Sequence, residues 1–236
     1  MQFLFDPSEA TGPAGDTGSA VHAAAAAFHG GGGVADALAQ MQARVGEYPK
    51  ADLADAAALF LRYAADSRNR DIEFLCIEQP IKFSIEAAPE DPTGARIQVV
   101  GRVDQVRLLD GRAKLWDLKT SKFDPDDVRY AAVFQAALYC IGASYLLNRE
   151  VHPGGLILPR QYRQDGTGPA FRHFAWSFKD IPDILMPIRR AVAAVRAGNL
   201  QHVPNKDCRW CHAKTPDLCL PKLQETLALR GSSTNP

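Results

Sequence analysis

The stretch GRVDQVRLLDGRAKLWDLKTSK, residues 101–122, decides the fold. At its centre is Asp110-Gly111, the strongest short-range hairpin signal in the chain, because a two-residue reversal needs left-handed backbone that these residue types tolerate. The flanking segments Arg96–Leu109 and Ala113–Leu118 are therefore expected to be antiparallel neighbours, which lets Asp104 meet Asp117 across the sheet. Side chains alternate along a strand, so Asp117 and Lys119 project to one face while Leu118 points to the other.

Upstream, Ile81, Phe83 and Ile85 share one parity in a strand beginning near Leu75. After the turn-rich stretch Pro89–Gly94, Ile97, Val99 and Val103 follow in a hairpin partner. Before the strands, the Ala-rich segment Gly18–Phe28 reads as a helix carrying His22 and ended by Gly30–Gly33. Two more helices are expected near Val34–Val45 and Ala51–Asn69. Downstream come a helix over Val128–Leu147, short strands at Gly155–Leu158 and Phe171–Phe178, and a helix over Ile181–Ala197. A cysteine segment and a short helix to Leu229 precede the polar end GSSTNP (231–236), which is expected to be disordered.

The chemistry sits on the central hairpin. Two carboxylates and an ammonium on one face of an otherwise apolar strand are costly unless their charge is compensated, and an oxygen-seeking divalent metal does this directly. Asp104 and Asp117 are then the expected ligands. Phosphodiester cleavage needs an activated water, in-line geometry and stabilised charge at phosphorus, which bound Mg2+ or Mn2+ supplies, with Lys119 holding or deprotonating the water. The competing reading is a surface hairpin on which Asp117 and Lys119 form a solvated pair, since a bare D-x-K is a common triplet. Gln135 and Tyr139, at i and i+4, share one face of the following helix. A core tyrosine beside a buried amide would look the same.

Taken together, these pieces resemble the RecB-like branch of the PD-(D/E)xK nucleases. That branch includes nuclease domains of bacterial recombination enzymes, CRISPR-associated adaptation nucleases and many phage exonucleases. Its ordered motifs correspond here to Gly18 to His22, Gly101 to Asp104, Asp117 to Thr120 and Gln135 to Tyr139. The resemblance spans about residues 8 to 220 and implies an α/β, restriction-endonuclease-like fold, a mixed central sheet flanked by helices. It implies one nuclease domain over 1–230, with a helical N-terminal region (1–70) bearing the His motif, a catalytic sheet and helix (71–180), and a helix and cysteine segment (181–230). It further implies that His22, Asp104, Asp117 and the backbone carbonyl of Leu118 bind the metal, that Lys119 acts as base or water-orienting group, and that Gln135 and Tyr139 support Lys119 or the substrate phosphate. Glu78 matches a frequent acidic position of the family. It is given no ligand role, and a salt bridge or strand-edge charge is the preferred explanation.

Three thiols crowd the segment DCRWCHAKTPDLC, with Cys208, Cys211 and Cys219 in C-x2-C-x7-C spacing and His212 after the second. This spacing signals a metal. The resemblance implies a [4Fe-4S] cluster, yet the usual fourth cysteine before the early helix is missing, since no cysteine precedes Cys76. Zinc with His212 and three free thiols remain open; haem attachment is a poor third choice. Cys76 and Cys140, in apolar surroundings, read as core thiols.

Lys plus Arg equals Asp plus Glu at 27 each, so affinity for a polyanion must come from local clustering. Lys122, Arg129, Arg160, Arg163 and Arg172 are candidates for phosphate contacts, or ordinary solvated charge. The Gly30–Gly33 run lacks the Gly-Lys-Ser/Thr ending of a nucleotide loop and reads as a connector. No stretch reaches the length of a membrane helix and the start lacks a signal peptide, so a cytoplasmic protein is expected. The expected activity is a DNA exonuclease of recombination or repair, with a phage among its candidate sources and with DNA and recombination proteins as partners. The alternatives are a non-catalytic DNA-binding scaffold and a cysteine-centred metal or redox module.

Overall fold

The computed structural model describes residues 13–70, 72–121, 129–163 and 165–198. Five strands, β1 (Glu73–Ile85), β2 (Ile97–Leu109), β3 (Arg112–Leu118), β4 (Val151–Tyr162) and β5 (Pro169–His173), form one sheet in that spatial order. Neighbours are antiparallel except β3 and β4, which run parallel and are joined through helix α4 (Arg129–Leu147). A parallel pair needs such a crossover, whereas β2 and β3 need only the two-residue reversal. Asp110 and Gly111 both adopt positive φ, 51° and 73°, as that reversal requires. The sheet is thus mixed, as expected.

Helices cover both faces. On one side lie α1 (Pro13–His29), α2 (Val34–Ala43) and α3 (Leu53–Ala65), whose Val21, Leu59, Phe60 and Tyr63 pack with Trp116, Leu118 and Ile157 of the sheet. On the other side, α4 and α5 (Ile181–Arg196) bury Ala136, Cys140, Ile181 and Leu185 against Ile81, Phe83, Val103 and Leu115. Ala20, Ala24 and Ala25 of α1 are buried, and their small side chains let this helix lie close to its neighbours.

β2 shows how the two layers divide. From Ile97 to Arg102 it alternates between half-buried and exposed residues, and from Val103 to Arg107 every residue is buried. Its outer half is covered on one face and its inner half on both.

Several expected elements differ in extent: the first helix begins at Pro13 rather than Gly18, and three others differ for reasons visible in their bonding. The helix expected over Ala51–Asn69 ends at Ala65, because the Asp66 carboxylate accepts the Arg68 N–H and starts a separate 3-10 turn at Ser67–Asn69. The short strand expected at Gly155–Leu158 runs over Val151–Tyr162, extended by its pairing with β3 and β5. The last strand stops at His173 rather than Phe178, because Ser177 donates through its N–H and hydroxyl to Asp180 and opens a helical turn. The segment 199–236 lies outside the described residues.

Candidate active site

The β2–β3 ladder ends at Gln105 opposite Trp116. Beyond that pair each strand continues with its other neighbour: β2 stays paired with β1, and the Lys119 N–H bonds the Ile157 carbonyl of β4 at 2.9 Å. Asp104 and Asp117 occupy the next register positions, facing each other where the sheet opens. One Asp104 oxygen, Oδ2, accepts the Leu118 N–H at 2.9 Å, so a buried carboxylate replaces the missing rung. An orphan backbone donor there would cost about 1–3 kcal/mol.

His22 reaches this opening from α1. Its Nε2 lies 2.8 Å from the Leu118 carbonyl, its Nδ1 lies 2.7 Å from Glu78 Oε1, and the same Nδ1 is 3.8 Å from Asp104 Oδ2. Burial alone would lower the imidazole pKa, but the carboxylates of Asp104, Glu78 and Asp117 outweigh it and push it up to about 9. The imidazolium then donates from both nitrogens, which matches its two acceptors. Burial, reinforced by Asp117, pushes Asp104 up to about 7.

Glu78 joins this group, which the sequence pattern does not foretell beyond a salt bridge. It lies in β1 opposite Asp104, between the pairs Ile77–Gln105 and Gln79–Val103. Its φ is +49°, a left-handed conformation unusual for Glu in a strand. Such outliers collect at functional sites, where the surroundings hold the strain. Here its carboxylate stands with His22 and Asp104, and one ligand atom from each lies within 4.8 Å of the others.

Lys119 is held on the α4 side. Its Nζ donates to Asp117 Oδ1 at 3.0 Å and to Gln135 Oε1 at 2.9 Å, and the Gln135 amide donates to the Tyr139 hydroxyl at 3.1 Å. Burial would lower the ammonium, but Asp117 and Asp104 outweigh it and hold its pKa above the usual lysine value. Lys119 is therefore a charged donor. Asp117 Oδ2 also lies 2.9 Å from Nζ as an ion-pair contact, in an orientation that makes no hydrogen bond.

Two glycines make these approaches possible. A Cβ at Gly101 would stand 2.9 Å from the Tyr139 ring, and one at Gly18 would stand 2.9 Å from Thr120 Oγ1. The first lets α4 close on β2 and the second lets α1 close on the end of β3.

The donor set suits a hard divalent cation. The imidazole Nδ1 and the carboxylates of Glu78 and Asp104 converge, while the Leu118 carbonyl lies on the Nε2 side of the same ring and the Asp117 carboxylate stands beside them on Lys119. Of the expected ligands, His22, Asp104 and the Leu118 carbonyl are brought together; Asp117 stands one step away, engaged with Lys119, and Glu78 occupies the closer position.

Other expected residues fall elsewhere. Cys208, Cys211, Cys219 and His212 lie outside the described residues, as do Lys122 and the Arg129 side chain. Cys140 is buried and Cys76 partly so, as core thiols should be. Arg160 points inward: it donates to the Thr120 carbonyl at 2.7 Å and pairs with Asp55 of α3. No described helix is long and apolar enough to cross a membrane.

Comparison with known proteins gives one family. No curated protein matches the chain. Among solved structures, a candidate exonuclease from Eubacterium rectale matches at 13% identity and a TM-score of 0.49, covering 84% of this chain and 74% of its own. The protein SSO0001 matches at 18% identity and a TM-score of 0.41, covering 86% and 85%. The family model of the PD-(D/E)XK nuclease superfamily matches residues 3–216, nearly the whole chain. With its mixed five-stranded sheet between helical layers and its acidic centre at the parting of β2 and β3, the chain belongs to the PD-(D/E)XK nuclease superfamily.

Proposed function

We propose that the chain is a Mg2+- or Mn2+-dependent deoxyribonuclease of the RecB-like branch, an exonuclease acting on DNA ends in recombination or repair. The observation that carries this reading is the convergence of His22, Glu78 and Asp104 beside a Lys119 fixed by Asp117 and Gln135. A part-buried imidazole with two carboxylates, next to a second buried carboxylate on Lys119, is a costly group for structure alone to keep, and such clusters collect at functional sites.

His22, Glu78 and Asp104, with the Leu118 carbonyl and Asp117 beside them, would hold the metal. When bound, it supplies a Lewis acid and a water acidic enough to attack a phosphodiester. The chain's own groups do the rest. His22 gives up a proton to become a ligand, so loading releases protons. Lys119, as an ammonium, donates to the attacking water or to a phosphate oxygen and steadies developing negative charge. Its hydrogen bonds to Asp117 and Gln135 hold it as a donor, which supports this orienting role over proton abstraction. Gln135 fixes the ammonium and Tyr139 fixes Gln135, so the donor is aimed before substrate arrives.

The test is incubation with end-labelled linear DNA and with covalently closed circular DNA of the same sequence, in Mg2+, Mn2+ or EDTA. Metal-dependent release of nucleotides from the linear substrate alone supports an exonuclease. Nicking of the circle would replace that reading with an endonuclease, and no cleavage in any metal would leave the non-catalytic DNA-binding alternative.

A further inference from the structure

Two cavities adjoin on the α3 side of the sheet, away from Lys119. One, about 380 Å³, is lined by Arg68, Arg107, Trp116, Phe171 and His173 among others. The other, about 740 Å³, shares Arg68 and Phe171 and adds Tyr162, Arg163, Asp165 and Arg172. In a chain with no net charge, four arginines and four rings thus line one continuous surface.

One of these charges, on Arg107, is met by neutral groups. Arg107 is only 1% exposed. It donates to Gln105 Oε1, Asn69 Oδ1, the Arg68 carbonyl and the Tyr63 hydroxyl, all neutral, with no carboxylate in hydrogen-bonding contact among the described residues. The rings of Phe74, Trp116 and Phe171, with centroids 5.2–5.9 Å from its guanidinium carbon, offset part of that cost. Asp66 is bonded by Arg68 and also stands 3.6 Å from Arg163. Trp116 Nε1 has no hydrogen-bond acceptor among the described residues, and Arg163 Nε makes no hydrogen bond but stands 3.6 Å from Asp165 Oδ1. The Tyr162 ring is about half exposed, at 48%.

We propose that this arginine and aromatic surface is a track for a single nucleic-acid strand, its phosphates on Arg163 and Arg172 and a base against the half-exposed Tyr162. The inference rests on the nuclease reading for its biological use, though not for its test. Interleaved guanidinium groups and ring faces are what a strand with open base faces can use, whereas a duplex hides those faces. A lone nucleotide would fill only one of the two cavities. The strand β4 ties the surface to the candidate active site: Lys119 bonds Ile157, Arg160 bonds the Thr120 carbonyl, and Tyr162 follows two residues later. Five residues of strand from Ile157 place Tyr162 on the order of 15 Å away.

The experiment measures anisotropy of a fluorescein-labelled oligothymidylate with the full chain in EDTA, beside a duplex of equal length. The parent is expected to prefer the single strand. Tyr162→Ala should weaken binding about tenfold, with Tyr162→Phe restoring it. Arg163→Ala combined with Arg172→Ala should reduce the slope of log affinity against log salt by about 1.4. Hydrolysis of bis(p-nitrophenyl) phosphate in Mn2+, which needs no track, separates the two readings. It should survive Tyr162→Ala and vanish in Asp117→Ala, while the Asp117 variant still binds the oligonucleotide. Absence of hydrolysis in the parent would count against the nuclease reading alone. No oligonucleotide binding, equal or tighter duplex binding, or affinity and salt slope unchanged in both variants would overturn the track.

Discussion

Asp104 Oδ2 accepts the Leu118 N–H at 2.9 Å, standing in for the ladder rung that is lost where β2 and β3 separate. Its carboxylate therefore has a structural bond and a candidate ligand role at once, and two substitutions separate them. Asp104→Asn keeps an oxygen for Leu118 and removes a buried charge that Asp117 opposes. In EDTA this variant should be at least as stable as the parent, while Asp104→Ala should lose about 1–3 kcal/mol by orphaning the N–H. Urea unfolding measures both, and a stable Asp104→Ala protein would contradict the role given to this bond.

Lys119 depends on Gln135, 2.9 Å from its Nζ. Gln135→Leu should lower kcat on the order of 100-fold with KM little changed, because a misplaced donor costs the transition state more than binding. A rise in KM with kcat preserved would make Gln135 a substrate contact.

Gly18 faces Thr120 Oγ1 so closely that an added methyl must displace one of them. Gly18→Ala should therefore reduce both stability and activity by pushing α1, and with it His22, off the end of β3. Combining it with Thr120→Ala, which removes the opposing oxygen, should recover most of the loss. A double variant no better than Gly18→Ala would place the strain elsewhere.

His29 gives a pH signature outside the candidate site. Its Nε2 lies 2.6 Å from the Tyr63 hydroxyl, and burial together with the Arg107 charge lowers its pKa from 6.5 to about 4. Between those values the unfolded chain binds a proton that the folded one refuses. This contribution to stability is complete above about pH 6.5 and is lost as pH falls towards about 4. His29→Gln should flatten the fall in urea midpoint across that window relative to the parent; parallel curves would refute it.

Much of this architecture is legible from the residues. Asp110-Gly111 announces the hairpin, and with it the meeting of Asp104 and Asp117, because local turn chemistry sets register over a short loop. The spacing of Gln135 and Tyr139 likewise holds as a hydrogen-bonded pair. Glu78 is harder, because its place depends on a left-handed backbone that strand alternation does not announce. Its available signals are positional: a strand expected to pair with the one bearing Asp104, and a frequent acidic position of the family it resembles. Arg160 reads as a surface cation because nothing local reveals Asp55, 105 residues away in sequence, as its partner. Nothing local marks Arg107 either, because the layers that cover both faces of inner β2 come from distant parts of the chain.

If the acidic opening with Lys119 cleaves DNA in a metal-dependent way, the most direct test is cleavage of linear DNA in Mn2+ by the parent, Asp117→Asn and Lys119→Met proteins, each first shown to be folded. The expected result is metal-dependent cleavage by the parent, abolished by EDTA, and a loss of at least about 100-fold in each variant. Cleavage that persists in both variants, or that survives EDTA, would contradict it.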